Sequence, residues 1–130
     1  MEEMIKTSGV HHISLTVRDI AKSKEFYTKV CGMKIIVAEK EYAGLTDGTF
    51  SLWLILPENE IESAKFNPNN PGLHHWAFTA DSMEELKQIE SHLKSLGVEM
   101  EDGGITDDGY GGTGIFTKDP DGMKVEFHLK

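Results

Sequence analysis

Two stretches of this chain carry the same chemistry. His11-His12-Ile13-Ser14-Leu15-Thr16-Val17 is echoed 63 residues on by His74-His75-Trp76-Ala77-Phe78-Thr79-Ala80, each reading His-His-x-small-apolar-Thr-apolar. Strand alternation puts His12, Ser14 and Thr16 on one face, opposite Ile13, Leu15 and Val17. In the second copy His75, Ala77 and Thr79 oppose Trp76, Phe78 and Ala80. Further on, Lys124, Glu126 and His128 oppose Val125, Phe127 and Leu129. Three strands thus carry a potential metal ligand on a polar face: His12, His75 and Glu126. Two neutral imidazoles and one carboxylate suit a divalent transition ion (Fe, Mn, Ni, Co or Zn), leaving up to about three octahedral positions for a substrate. His11 and His74 fall on the opposite face and read as ordinary residues near the strand starts, with support of the neighbouring ligands as the alternative. His92 reads as a solvated helix residue.

Two further residues are candidates for catalysis. His128 follows Glu126 on the same face, ~7 Å along the strand, and is the leading general-base candidate, with a solvated strand-end residue as the alternative. Tyr110 lies in Asp107-Asp108-Gly109-Tyr110-Gly111-Gly112-Thr113-Gly114. That run is either a flexible turn or a loop that closes over a substrate and places Tyr110 on it. It lacks the preceding strand and following helix of a phosphate-cradling loop, so no nucleotide cofactor site is read here.

The elements that must position these residues also repeat. Asp19 precedes Ile20, Phe26 and Tyr27, and Asp81-Ser82 precedes Met83, Leu86, Ile89 and Leu93, as at helix starts with apolar positions at helical spacing. Each helix is expected to end at a glycine, Gly32 or Gly97. Strands are expected over 33–38, 42–46 and 49–56, then over 98–101, 112–117 and 123–129, with Asp47-Gly48 and Asp121-Gly122 as tight turns. Each half reads β-α-β-β-β: module one about 9–56, linker 57–73 and module two 74–130, within a single domain 1–130. The linker opens at Pro57 and closes through Asn67-Pro68-Asn69-Asn70-Pro71-Gly72, which cannot continue a helix or a strand ladder. Phe66 and this linker are where an arm exchanged between two chains would lie.

Composition excludes several classes. Lys+Arg number 13 against 22 Asp+Glu, a net charge of -9 that disfavours nucleic acid and anionic membranes as partners. The lone Cys31 excludes an internal disulfide and a thiolate zinc cluster, and a free thiol fits a reducing cytoplasm. Arg18 is the single arginine, which leaves little for a bidentate grip on a phosphate or carboxylate. The acidic start of the sequence lacks a signal-peptide apolar run, and Leu52-Trp53-Leu54-Ile55-Leu56 is far short of the ~20 residues that span a bilayer.

The paired βαβββ modules, His12 and His75 at their first strands, and Asp119-Pro120-Asp121-Gly122-Met123-Lys124-Val125-Glu126 resemble the vicinal oxygen chelate superfamily over about Val10 to Leu129. That group includes glyoxalase I, extradiol dioxygenases, fosfomycin-resistance and bleomycin-resistance proteins and methylmalonyl-CoA epimerase. The resemblance implies an α+β fold, a cup-shaped, partly open eight-stranded sheet with helices outside and His12, His75 and Glu126 facing inward. It implies a homodimer and a metal-dependent enzyme acting on a small substrate chelated through adjacent oxygens, by lyase, isomerase, transferase or dioxygenase chemistry. The alternative is a non-catalytic drug-binding protein of the bleomycin-resistance type, which the negative charge suits. The chain departs from the group's patterns in places. Phe50–Leu56 has no Asp, Glu or His where glyoxalase I has a fourth ligand, Phe116 replaces the tyrosine of the extradiol signature, and no arginine follows Glu126.

Overall fold

The computed structural model describes residues 4–60 and 65–130, so the first three residues and linker positions 61–64 lie outside the described residues. The chain divides into two compact units, Met1–Glu60 and Ile61–Lys130. Each contains one four-stranded mixed sheet of the same topology, and the fold class is α+β.

Unit one runs β1 (His12–Thr16), α1 (Ile20–Glu25), β2 (Lys34–Ala38), β3 (Tyr42–Thr46) and β4 (Ser51–Ile55). Its strand order is β1-β4-β3-β2, with β1 parallel to β4 and the other pairs antiparallel. The parallel pair is possible because α1 carries the chain back across the sheet. Asp19 starts that helix by accepting the Lys22 N–H at 3.0 Å, which satisfies one of the donors every helix leaves unpaired. After Glu25 the helix widens into a π-helical turn, Phe26–Val30, and stops at Gly32. At φ 73°, Gly32 takes the left-handed conformation that a β-carbon would disfavour. Its N–H and that of Met33 then reach back to the Thr28 and Tyr27 carbonyls at 3.1 and 3.0 Å. Val17, Tyr27, Leu45, Leu52 and Leu54 fill the core between α1 and β3–β4.

Unit two repeats this plan as β5 (His75–Ala80), α2 (Met83–Ser95), β6 (Thr106–Asp107), β7 (Thr113–Lys118) and β8 (Lys124–Leu129), in the order β5-β8-β7-β6. The N-caps Asp19 and Ser82 stand 63 residues apart, so the repeat extends to the helix starts. Ser82 accepts the Glu85 N–H at 3.1 Å, while the Glu85 carboxylate reaches back to the Asp81 N–H at 2.9 Å. Gly97 ends α2 as Gly32 ends its counterpart. Leu86 and Leu93 point from α2 into a core with Trp76, Ile115, Val125 and Phe127.

One expected strand is absent from its place. Residues 98–101 do not pair; a short 3-10 turn, Glu101–Gly103, begins at the end of that run. Asp102, Gly103 and Gly104 have φ of 53°, 78° and 155°, which an extended ladder cannot accommodate. Pairing resumes at β6, two residues long, once the Glu90 carboxylate on α2 has taken the Ile105 N–H at 2.8 Å. Among the described residues no helix is long and apolar enough to cross a membrane.

Truncation of Leu93 to alanine is expected to cost about 2–5 kcal/mol in urea unfolding, because the side chain is fully buried beneath α2. The β3–β4 turn gives a pH-dependent expectation. Burial raises the Asp47 carboxyl, but hydrogen bonds from the Thr49 N–H and hydroxyl and the Phe50 N–H outweigh this and hold it below its ordinary value. A carboxyl with a depressed folded-state pKa stabilises the fold above its unfolded value of about 3.9 and loses that effect as pH falls through the folded value. Asp47→Asn should therefore be less stable than the parent at pH 7, the gap closing as pH drops from about 3.9. Unfolding titrations across that range measure it.

Candidate metal centre

The centre of the second sheet places its residues by register. β8 lies between β5 and β7, and the pairs Ala77↔Glu126 and Phe116↔Glu126 set the carboxylate between a small residue and an aromatic ring. His75 aligns with Lys124 and Thr79 with His128, so His75, Glu126 and His128 share one face. Glu126 is only 5% exposed. A carboxylate so buried needs charged or hydrogen-bonding partners.

Its two oxygens go to different partners. The His128 Nδ1 lies 2.6 Å from Oε2 and donates to it, while the His75 Nε2 lies 3.6 Å from Oε1. The second distance exceeds a hydrogen bond. It is close to the ~3.4 Å that separates two ligand atoms about 2.1 Å from one tetrahedral ion. The chemistry of the pair, one imidazole nitrogen and one carboxylate oxygen with its second oxygen held, therefore fits a divalent metal.

Glycines leave the room for this arrangement. A β-carbon on Gly114 would sit 2.8 Å from the Phe127 carbonyl oxygen and 3.0 Å from Glu126 Oε2. One on Gly112 would collide with the Asp108 carboxylate and lie 2.6 Å from the His128 ring. Within the glycine-rich run, Gly112 and Gly114 thus leave space beside the two acidic groups and the imidazole.

Asp108 lies in the glycine-rich run, where the residue pattern alone gives it no ligand role. It belongs to a cluster in which one donor atom each of Asp108, Glu126 and His128 lies within 4.8 Å of the others. The N–H groups of Tyr110 and Gly112 donate to its carboxylate at 2.7 and 2.9 Å, and with the nearby His128 they hold the Asp108 carboxyl below its ordinary value. The signal available in sequence was an Asp-Gly turn entering β7, but only the β7–β8 pairing aims that turn at His128. Tyr110 itself is 96% exposed at the tip, and its backbone N–H ties it to the cluster. Lys124 lies on the Glu126 face, where its Nζ pairs with Glu101 at 3.2 Å and sits 5.2 Å over the Phe116 ring.

His12 belongs to unit one, on the exposed polar face of β1 with Ser14 and Thr16. The same local arrangement surrounds both strand-leading histidines. The His11 and His12 Nδ1 atoms are 2.9 Å apart with rings at 86°, and those of His74 and His75 are 2.8 Å apart at 76°. The reading of His11 and His74 as ordinary strand residues thus omits a contact that both copies make.

A module repeated twice, with ligand-type residues on the polar faces of its strands, defines a class of protein before any relative is considered. The chain belongs to the Glyoxalase/Bleomycin resistance protein/Dioxygenase superfamily, whose family model matches residues 9–127. It is 32% identical over 120 residues to metallothiol transferase FosB of Staphylococcus saprophyticus, covering 92% of this chain and 76% of that protein. It is 25% identical over 128 residues to catechol-2,3-dioxygenase of Bacillus subtilis, covering 98% of this chain but 44% of that protein. A glyoxylase/bleomycin resistance protein/dioxygenase domain from Frankia superimposes with a TM-score of 0.79 at 28% identity, over 95% of this chain and 98% of the other.

Gly114→Ala is expected to destabilise the protein by about 1–3 kcal/mol, because its β-carbon meets a backbone carbonyl that cannot swing aside. Thermal unfolding of the variant measures this.

Proposed function

We propose that this chain is a metal-dependent enzyme in which His12, His75 and Glu126 hold one divalent ion (Fe, Mn, Ni, Co or Zn). Its substrate would be a small molecule chelated through two adjacent oxygens. The observation that carries this reading is the buried Glu126, with one oxygen secured by His128 and the other facing the His75 Nε2. The ligand types on both histidine strands also weigh against a non-catalytic drug-binding role. The two units would act as one domain, a reading supported by a family model that spans both. Assembly as a homodimer and a cytoplasmic setting complete the proposal, the latter supported by a cysteine count of one, which allows no internal disulfide.

The ion, when bound, would supply Lewis acidity to a developing oxyanion on the substrate. The residues of the chain account for the remainder. Glu126 keeps its Oε1 available because His128 occupies Oε2. The same bond protonates His128 at Nδ1, leaving Nε2 as the nitrogen that would accept a substrate proton. Tyr110 would meet the substrate through movement of the exposed β6–β7 turn. The relatives span transferase and dioxygenase names, so the reading commits to the shared chelation step and to no particular bond change.

Metal content after purification without added metal tests this. About one transition ion per chain is expected in the parent, with well under one in His75→Ala and in Glu126→Gln. Trace metal that neither substitution changes would overturn the assignment.

A further inference from the structure

The first histidine of each His-His pair, His11 and His74, has no role in the function described so far. Both copies nonetheless build the same contact, where β1 lies beside β4 in one unit and β5 beside β8 in the other. Two Nδ1 atoms 2.8–2.9 Å apart can be joined by only one proton, so one ring donates there and the other accepts. The donating ring, when neutral, has a bare Nε2; the accepting ring, when neutral, carries its proton on Nε2. The choice of donor therefore decides which histidine can bind a metal through Nε2.

We infer that His11 and His74 are positioning residues that select the metal-binding tautomers of His12 and His75. Each accepts the Nδ1–H of its neighbour at its own Nδ1, leaving the Nε2 of His12 and of His75 unprotonated. In unit two that nitrogen is the one facing Glu126 Oε1 at 3.6 Å, a separation with no hydrogen bond across it. The edge-to-face ring packing, at 86° and 76°, also restricts rotation of the ligand ring about its bond to the β-carbon. In many metal proteins the group accepting the far N–H of a ligand histidine is a carboxylate or a carbonyl. Here a second imidazole takes that place, supplied by the adjacent residue. This neutral acceptor adds no negative charge beside the ion, in a chain already at -9.

The inference rests on the metal reading above, and the test separates the two. Zinc(II) serves as probe, with affinity measured by calorimetric titration and the tautomers by nitrogen-15 spectroscopy of the zinc-loaded parent. In that spectrum His75 Nδ1 should show the signature of a protonated ring nitrogen and His74 Nδ1 that of an unprotonated one. His74→Phe keeps a ring but removes the acceptor, and should weaken zinc binding roughly 10–100-fold. His74→Asn places a carbonyl oxygen about where the acceptor nitrogen stood, and should recover most of that loss. His11→Phe and His11→Asn should behave alike at the first module.

Zinc binding in His74→Phe as tight as in the parent, or His75 unprotonated at Nδ1 in the loaded protein, would overturn the tautomer role while leaving the metal centre intact. A parent that takes up no zinc would instead overturn the metal reading, and this inference with it. His74 is exposed, so loss of the whole fold is not expected. A matched unfolding curve for each variant distinguishes a damaged fold from a lost acceptor.

Discussion

A carboxylate in the middle of a sheet is the constraint around which the second unit is organised. Glu126 occupies the central strand β8, flanked on both sides by paired backbone and covered almost completely. A charge in that position is costly unless its oxygens are given partners. His128 satisfies one oxygen, and His75 stands opposite the other at a spacing suited to a shared ion. The absence of a side chain at Gly114 follows from the same demand for space. Strand register, rather than any local motif, brings these groups onto one face.

The repeated topology places equivalent residues at equivalent positions of both units. The order β1-β4-β3-β2 recurs as β5-β8-β7-β6, so a histidine leading the first strand stands on the polar face of each sheet. The two copies differ in their helices and in their second strands. The first helix widens into a π turn after six residues, whereas α2 runs regularly for 13. The second strand of module one is a five-residue strand, but its counterpart β6 has two residues preceded by left-handed backbone. What stays constant is the parallel pairing of the histidine strand with the last strand of its module.

Helix starts were legible because their signals are local: Asp19 and Ser82 cap through contacts three residues away. The glycine stops at Gly32 and Gly97 were legible for the same reason. The hairpin strands β3, β4, β7 and β8 followed from alternation and from the Asp-Gly turns between them. The expected strand over 98–101 failed because apolar alternation there is short, while the positive φ of Asp102 and Gly103 is a property of the folded chain. Asp108 was missed as a neighbour of Glu126 because 18 sequence positions separate them and the β7–β8 pairing closes the gap.

The repeat, the α+β class and three residue types that suit a divalent ion can be read from the residues alone, and the family from the motifs that resemble it. The first three follow from periodicity or spacing within a dozen or so positions, or from matching one half of the chain against the other. Folding of the whole unit sets which oxygen of Glu126 is held, that Asp108 joins His128, that Lys124 pairs with Glu101, and that each histidine pair meets Nδ1 to Nδ1. Those facts depend on strand register and ring orientation, which packing of the whole unit sets and no short run of residues encodes.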